Sequence, residues 1–153
     1  MSHLVTRSIT RLSFLLVALL VLTSQASAQD PGLRGGLSVD PDQFYFGGHL
    51  ETSPLIDRLY FRPNLEVGFG DDVTLLSANM EFVYKFPSRS GWSIYAGAGP
   101  ALNIYMVDDA DSDTDAGLNL LVGVEKSSGL FFEFKIGAID SPDVKFGVGW
   151  TFR

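Results

Sequence analysis

From about residue 33 onward the chain is written in twos. Over 143–152, Val144, Phe146, Val148, Trp150 and Phe152 share one parity, and Lys145, Gly147, Gly149 and Thr151 share the other. Phe132, Phe134, Ile136 and Ala138 oppose Glu133, Lys135 and Gly137; Leu118, Leu120, Val122 and Val124 oppose Asn119, Leu121, Gly123 and Glu125. Leu59, Phe61, Leu65, Val67 and Phe69 oppose Tyr60, Arg62, Asn64, Glu66 and Gly68. Leu76, Ala78, Met80, Phe82, Tyr84 and Phe86 oppose Ser77, Asn79, Glu81, Val83 and Lys85. Phe44, Phe46 and Leu50 oppose Tyr45, Gly47, His49 and Glu51. A period of two places each set on its own face of a β-strand.

Turn-forming clusters interrupt the runs at 40–42, 52–58, 70–72, 87–91, 107–114, 126–129 and 140–143. Seven short breaks give eight strands joined as hairpins, with no helical period between them. The expected fold is all-β, an eight-stranded antiparallel up-and-down barrel. The first strand, 33–39, reads as short because it holds Gly35 and Gly36. Pro100 lies inside the fifth run, and a closed barrel has no edge to hide its missing donor, so a bulge or bend is expected at 97–100.

Size decides which face is outside. Of the 12 phenylalanines one, Phe14, precedes residue 29; of the other 11, only Phe131 is on the polar parity. An eight-stranded interior is just wide enough for side chains to fill it and could not hold ten such rings. Glycines on the polar parity, among them Gly47, Gly97, Gly123 and Gly147, leave interior room for long charged side chains. Ten phenylalanines facing water would also exceed the apolar patches of soluble monomers. The apolar face therefore points to lipid, which makes the barrel transmembrane. Runs of nine to twelve residues match the roughly 9–11 that a tilted membrane strand needs. Tyr84, Phe86, Trp92, Trp150 and Phe152 fall near strand ends, where interfacial aromatic girdles belong.

The first 28 residues read as an address. Arg7 and Arg11 precede an apolar centre at 12–22, and small residues follow, ending in Ala26-Ser27-Ala28. This is the layout of a cleaved secretory signal, so the expected division is signal peptide 1–28 and barrel domain 29–153. Cleavage would remove two arginines and no acid, taking the 11 basic and 18 acidic residues to 9 and 18, a net charge of -9. Such acidity argues against a nucleic-acid partner. The absence of cysteine excludes disulfides, thiolate metal sites and cysteine nucleophiles.

The signal, the eight alternating strands and the terminal Val148-Gly149-Trp150-Thr151-Phe152 resemble the small outer-membrane β-barrel family of OmpA/OmpX type from Gram-negative bacteria. The resemblance implies both termini on the periplasmic side, alternating outer loops and inner turns, and insertion by the barrel-assembly machinery. That machinery reads a terminal aromatic residue in the family; here Phe152 is penultimate and Arg153 follows. It also implies contact with outer-membrane lipid and lipopolysaccharide, and a monomer.

With that topology the charges divide. Asp40, Asp42, Asp71, Asp72, Asp108, Asp109, Asp111, Asp113, Asp115, Asp140 and Asp143 collect at the outer rim, in breaks with no Lys or Arg. Arg58, Arg89 and Lys126, with Asp57, mark the other. An acidic ring would repel anions and could hold cations that bridge lipopolysaccharide phosphates; alternatively it only keeps the loops hydrated. The 108–117 stretch does not fit a calcium-binding EF-hand loop, because no register places Gly sixth and Glu twelfth. Inside, Arg62, Lys85, Lys135 and Lys145 beside Glu66, Glu81, Glu125 and Glu133 read as a lumen ion-pair network, since unpaired buried charges are costly.

His49 is the one histidine after residue 28, which excludes a histidine pair for a metal. It joins the lumen set as a hydrogen-bonded residue. Some outer-membrane barrels deacylate lipid A with a His-x-Ser arrangement, which His49-Leu50-Glu51 does not match. No cofactor is expected. The sequence points to an envelope-integrity or surface-interaction protein without catalytic activity. A narrow gated porin-like channel is the alternative, and an outer-membrane lipid hydrolase the third reading.

Overall fold

The structure, a computed structural model, describes residues 29–153, and the expected signal segment lies outside them. Eight strands follow in order: β1 Gln29–Val39, β2 Gln43–Thr52, β3 Leu59–Phe69, β4 Val73–Lys85, β5 Trp92–Val107, β6 Asp113–Lys126, β7 Leu130–Ile139 and β8 Val144–Thr151. Each pairs antiparallel with the next, and β8 returns to β1 to close the barrel. The closing seam runs from Gly32 opposite Thr151 to Val39 opposite Val144. This is the all-β, eight-stranded up-and-down barrel that the alternation predicts.

Two local expectations need correction. The first strand is not short: it covers 11 residues, because Gly32, Gly35 and Gly36 lie in continuous register with both β2 and β8. There is also no register shift at Pro100. β5 keeps its frame against β6 through Pro100 opposite Leu118, and against β4 on either side. What fails is two positions of the β4–β5 ladder, which lapses between Asn79–Ala101 and Phe82–Ala98. Pro100 would face Met80 there and has no N–H to donate. The observed shift falls instead between β6 and β7, where Leu118 and Asn119 pair with Ile139 and Gly137. A residue skipped on one strand is a β-bulge, and Ala138 is the extra one.

Pro63 has the same effect on β3. The β2–β3 ladder stops at His49–Asn64, although β2 continues to Thr52. The next pair in that frame would be Leu50 and Pro63, again without a donor. One place requires glycine for close approach: a β-carbon on Gly99 would lie 1.9 Å from the Met80 carbonyl oxygen. Another requires it for backbone shape, since Gly129 closes the β6–β7 turn at φ +108°.

Burial is inverted relative to a water-soluble core. Phe44, Phe46, Leu65 and Phe146 are each more than half exposed, while Arg62 and Glu81 are 0% exposed. The buried apolar cluster is small: Val83, Tyr95, Leu121 and Phe131, all on the inward parity.

Candidate functional site

The inward parity of all eight strands builds one polar interior. Five cations (Arg34, Arg62, Lys85, Lys135 and Lys145) share it with five carboxylates (Glu51, Glu66, Glu81, Glu125 and Glu133). Glycines opposite them leave the space; a β-carbon at Gly47 would lie 2.0 Å from the Leu65 carbonyl oxygen.

The ion pairs form two lobes. In one, Lys145 and Arg34 approach Glu66 at 2.5 and 3.2 Å, and Lys135 lies 2.5 Å from Glu81. In the other, Arg62 donates from Nε and Nη2 to Glu51 Oε2, at 2.9 and 2.5 Å. Lys85 there bridges Glu51 and Glu125 at 2.6 and 2.7 Å. Glu133 joins the lobes, 3.3 Å from Arg34 and 3.6 Å from Arg62, and accepts the Tyr95 hydroxyl at 2.8 Å. Removed from water, such charges persist only when each is matched; Lys145 has one partner of opposite sign, Glu66, and the other nine have two or more.

Aromatic faces back the cations. Arg62 lies over Tyr95 and Phe131, with centroid distances of 4.8 and 5.5 Å, and Arg34 lies over Phe131 at 5.3 Å. Lys145 sits 4.7 Å from the Tyr45 ring and Lys85 4.1 Å from that of Tyr60. Phe131, 1% exposed, therefore fills the lumen centre between two guanidinium groups. Toward the loops bearing the aspartates, an amide chain takes over. Asn119 donates to Asn79, Asn79 to Asn64 and Asn64 to Glu81, over 2.8–2.9 Å. Asn103 accepts from Ser77 and donates to the Asp140 carbonyl at 3.0 Å.

His49 is in the lumen but outside the ion pairs. Its Nε2 lies 2.9 Å from Thr151 Oγ1, its ring packs edge-on to Phe131, and its Nδ1 is without a partner. The side chain that meets the imidazole is thus a buried threonine, where a serine hydrolase would present its nucleophile.

The two rims differ. Antiparallel succession brings the 40–42, 70–72, 108–112 and 140–143 loops to one end, with Asp113 and Asp115 at the start of β6. Among the described residues no three acids there converge into a group able to hold a metal ion. Asp40, Asp109 and Asp140 adopt positive φ of 50°, 61° and 39°, a turn conformation aspartate tolerates better than most residues. At the other end, Arg153 reaches back to Glu51 and Glu125 at 2.9 and 3.2 Å. Partial burial opposes its charge, but those carboxylates outweigh that and raise its pKa. A chamber of about 560 Å³ opens there, lined by residues including Asp30, Glu51, Arg58, Tyr60, Lys85, Glu125 and Arg153.

Sequence reasoning singled out eight of these charges and His49, and missed Arg34, Glu51 and Arg153. Glu51 was on the polar parity throughout. Arg34 alternates with Leu33 and Leu37, a signal that Gly32, Gly35 and Gly36 dilute.

An apolar exterior around a charged interior defines the class: a closed eight-stranded barrel of the membrane-spanning kind. The solved structure of Neisserial surface protein A (NspA), an eight-stranded outer-membrane barrel, has this fold. It superposes with a TM-score of 0.62 at 19% identity, covering 81% of this chain and 96% of that one. No protein-family model and no curated protein matches the chain.

Proposed function

We propose that this protein is an outer-membrane barrel of the small OmpA/OmpX type that acts in envelope integrity or surface interaction and carries no flux and no catalysis. The observation that carries this reading is the filled lumen. Arg62, Glu66, Glu81 and Phe131 are each at most 1% exposed and span its middle, where a conduit would need water. An eight-strand circumference leaves little room beyond such side chains. The leader, the lipid-type exterior and the fold shared with NspA support the outer membrane as its location. In that orientation the aspartate rim faces outward, toward lipopolysaccharide and its bridging cations.

Planar-bilayer recording tests the role. The filled lumen predicts no reproducible conductance for the purified protein. Steady conductance that changes in Lys85→Ala or Arg62→Ala would instead establish the narrow pore. A deletion strain is expected to become sensitive to detergent and chelator while nutrient uptake is unchanged.

A further inference from the structure

Three prolines lie inside strands, Pro31 of β1, Pro63 of β3 and Pro100 of β5, and the registers place them in one row around the wall. Pro31 faces Leu50, the frame carries Leu50 on to Pro63, Pro63 faces Met80, and Pro100 follows, opposite Leu118. Each proline withholds an N–H from one neighbouring strand. Behind two of them an inward side-chain bond spans the lapse. Arg62 grips Glu51 beside Pro63. Asn119 of β6 donates to Asn79 of β4 at 2.8 Å, passing behind Pro100 of β5.

Pro31 falls on the seam that closes the barrel. The β1–β8 frame runs to Gly32–Thr151 and next brings Pro31 opposite Phe152. The Phe152 N–H donates to the Pro31 carbonyl at 2.8 Å, and Pro31 can return no bond. Arg153 comes next, opposite Asp30 in that frame and on the inward parity of Thr151. Its guanidinium lies 2.9 Å from Glu51 of β2, 3.2 Å from Glu125 of β6 and 3.9 Å from Asp30 of β1. Asp30 and Glu51 stand on one side of the seam and Glu125 on the other, so one side chain is fastened to both. Both near carboxylates are buried, and hydrogen bonds between ionised groups are roughly twice as strong as neutral ones.

We propose that Arg153 is the latch of the closing seam: it holds the end of β8 to β1 and β2 in place of the backbone bond that Pro31 withholds. Its carboxylates belong to β2 and β6, which come within reach of one guanidinium only across the finished mouth of the lumen. The latch therefore stabilises the closed barrel and not its open precursors. Without it the end of β8 frays from β1, while the far end of the seam, Val39 opposite Val144, stays paired.

The test follows amide hydrogen exchange residue by residue, by NMR of the purified, folded protein in detergent micelles. Arg153→Gln should speed exchange at Phe152 by about tenfold and leave Phe146, farther along the same seam, unchanged. Pro31→Val restores the missing donor, and in that background Arg153→Gln should change Phe152 exchange by less than about twofold. Unaltered exchange at Phe152 in Arg153→Gln, or an equal rise in every strand, would overturn the proposal. So would an undiminished effect of Arg153→Gln in the Pro31→Val background, since the side chain would then not stand in for the missing bond. If Arg153→Gln alone does not fold, recovery of folding on adding Pro31→Val reads the same coupling, and failure to recover overturns it.

Discussion

Glu51 of β2 and Arg62 of β3 stand opposite one another where the backbone ladder between their strands has lapsed, and their ion pair joins the strands from inside. Removing one member leaves a buried charge with fewer partners. Arg62→Ala is therefore expected to cost about 3–5 kcal/mol of barrel stability, read from urea unfolding in detergent micelles. Arg62→Met combined with Glu51→Met should recover most of that loss. Equal destabilisation by the single and double changes would show that the loss comes from the missing link itself and not from an unmatched buried charge.

The outward parity makes the opposite demand. Phe134 and Phe146 face each other across β7 and β8 on the exterior, near the middle of both strands. Phe134→Lys places an ammonium where the account places acyl chains, at a cost of about 2–4 kcal/mol near a bilayer midplane. The same substitution on a water-facing surface would be nearly neutral. Unfolding from phospholipid vesicles distinguishes the two.

Phe131 is the inward exception among the phenylalanines, and it separates the guanidinium groups of Arg34 and Arg62. Phe131→Ala should lose about 3–5 kcal/mol and leave a cavity at the lumen centre. Water entering there should give the variant a conductance in planar bilayers that the parent lacks. A silent variant would mean that the ion pairs alone close the lumen.

Much of this was legible in the residues. Strands β2, β3, β4, β6, β7 and β8 announce themselves by alternation, and the count of phenylalanines on one parity decides inside from outside. Two things were not. A period of two says that Pro63 and Pro100 face outward, but not which neighbouring strand awaits the missing N–H. Consequently the ladder gaps at Leu50 and Met80 appear only with the register. Nor does it say which charges meet. Arg34 and Glu133 are 99 residues apart, and their contact depends on barrel stagger, which no local pattern encodes.

The Gly129 turn offers a test of local geometry alone. Its φ of +108° disfavours a side chain, and a β-carbon would lie 2.0 Å from the Thr151 carbonyl oxygen. Gly129→Val should prevent the Thr151 N–H from reaching the Gly129 carbonyl, a bond of 2.9 Å that ties β8 to this turn. Slower folding into vesicles and a lower unfolding midpoint are the expected outcomes, read by the gel mobility of unheated samples.

The central claim is that oily side chains contact acyl chains while ionic ones are enclosed. Because the chain has no cysteine, single cysteines can be placed one by one along β7 and spin-labelled in vesicles. The account predicts that collision with dissolved oxygen peaks at positions 132, 134 and 136 and falls at 131, 133 and 135. Peaks on the odd positions, or collision rates without a period of two, would contradict it.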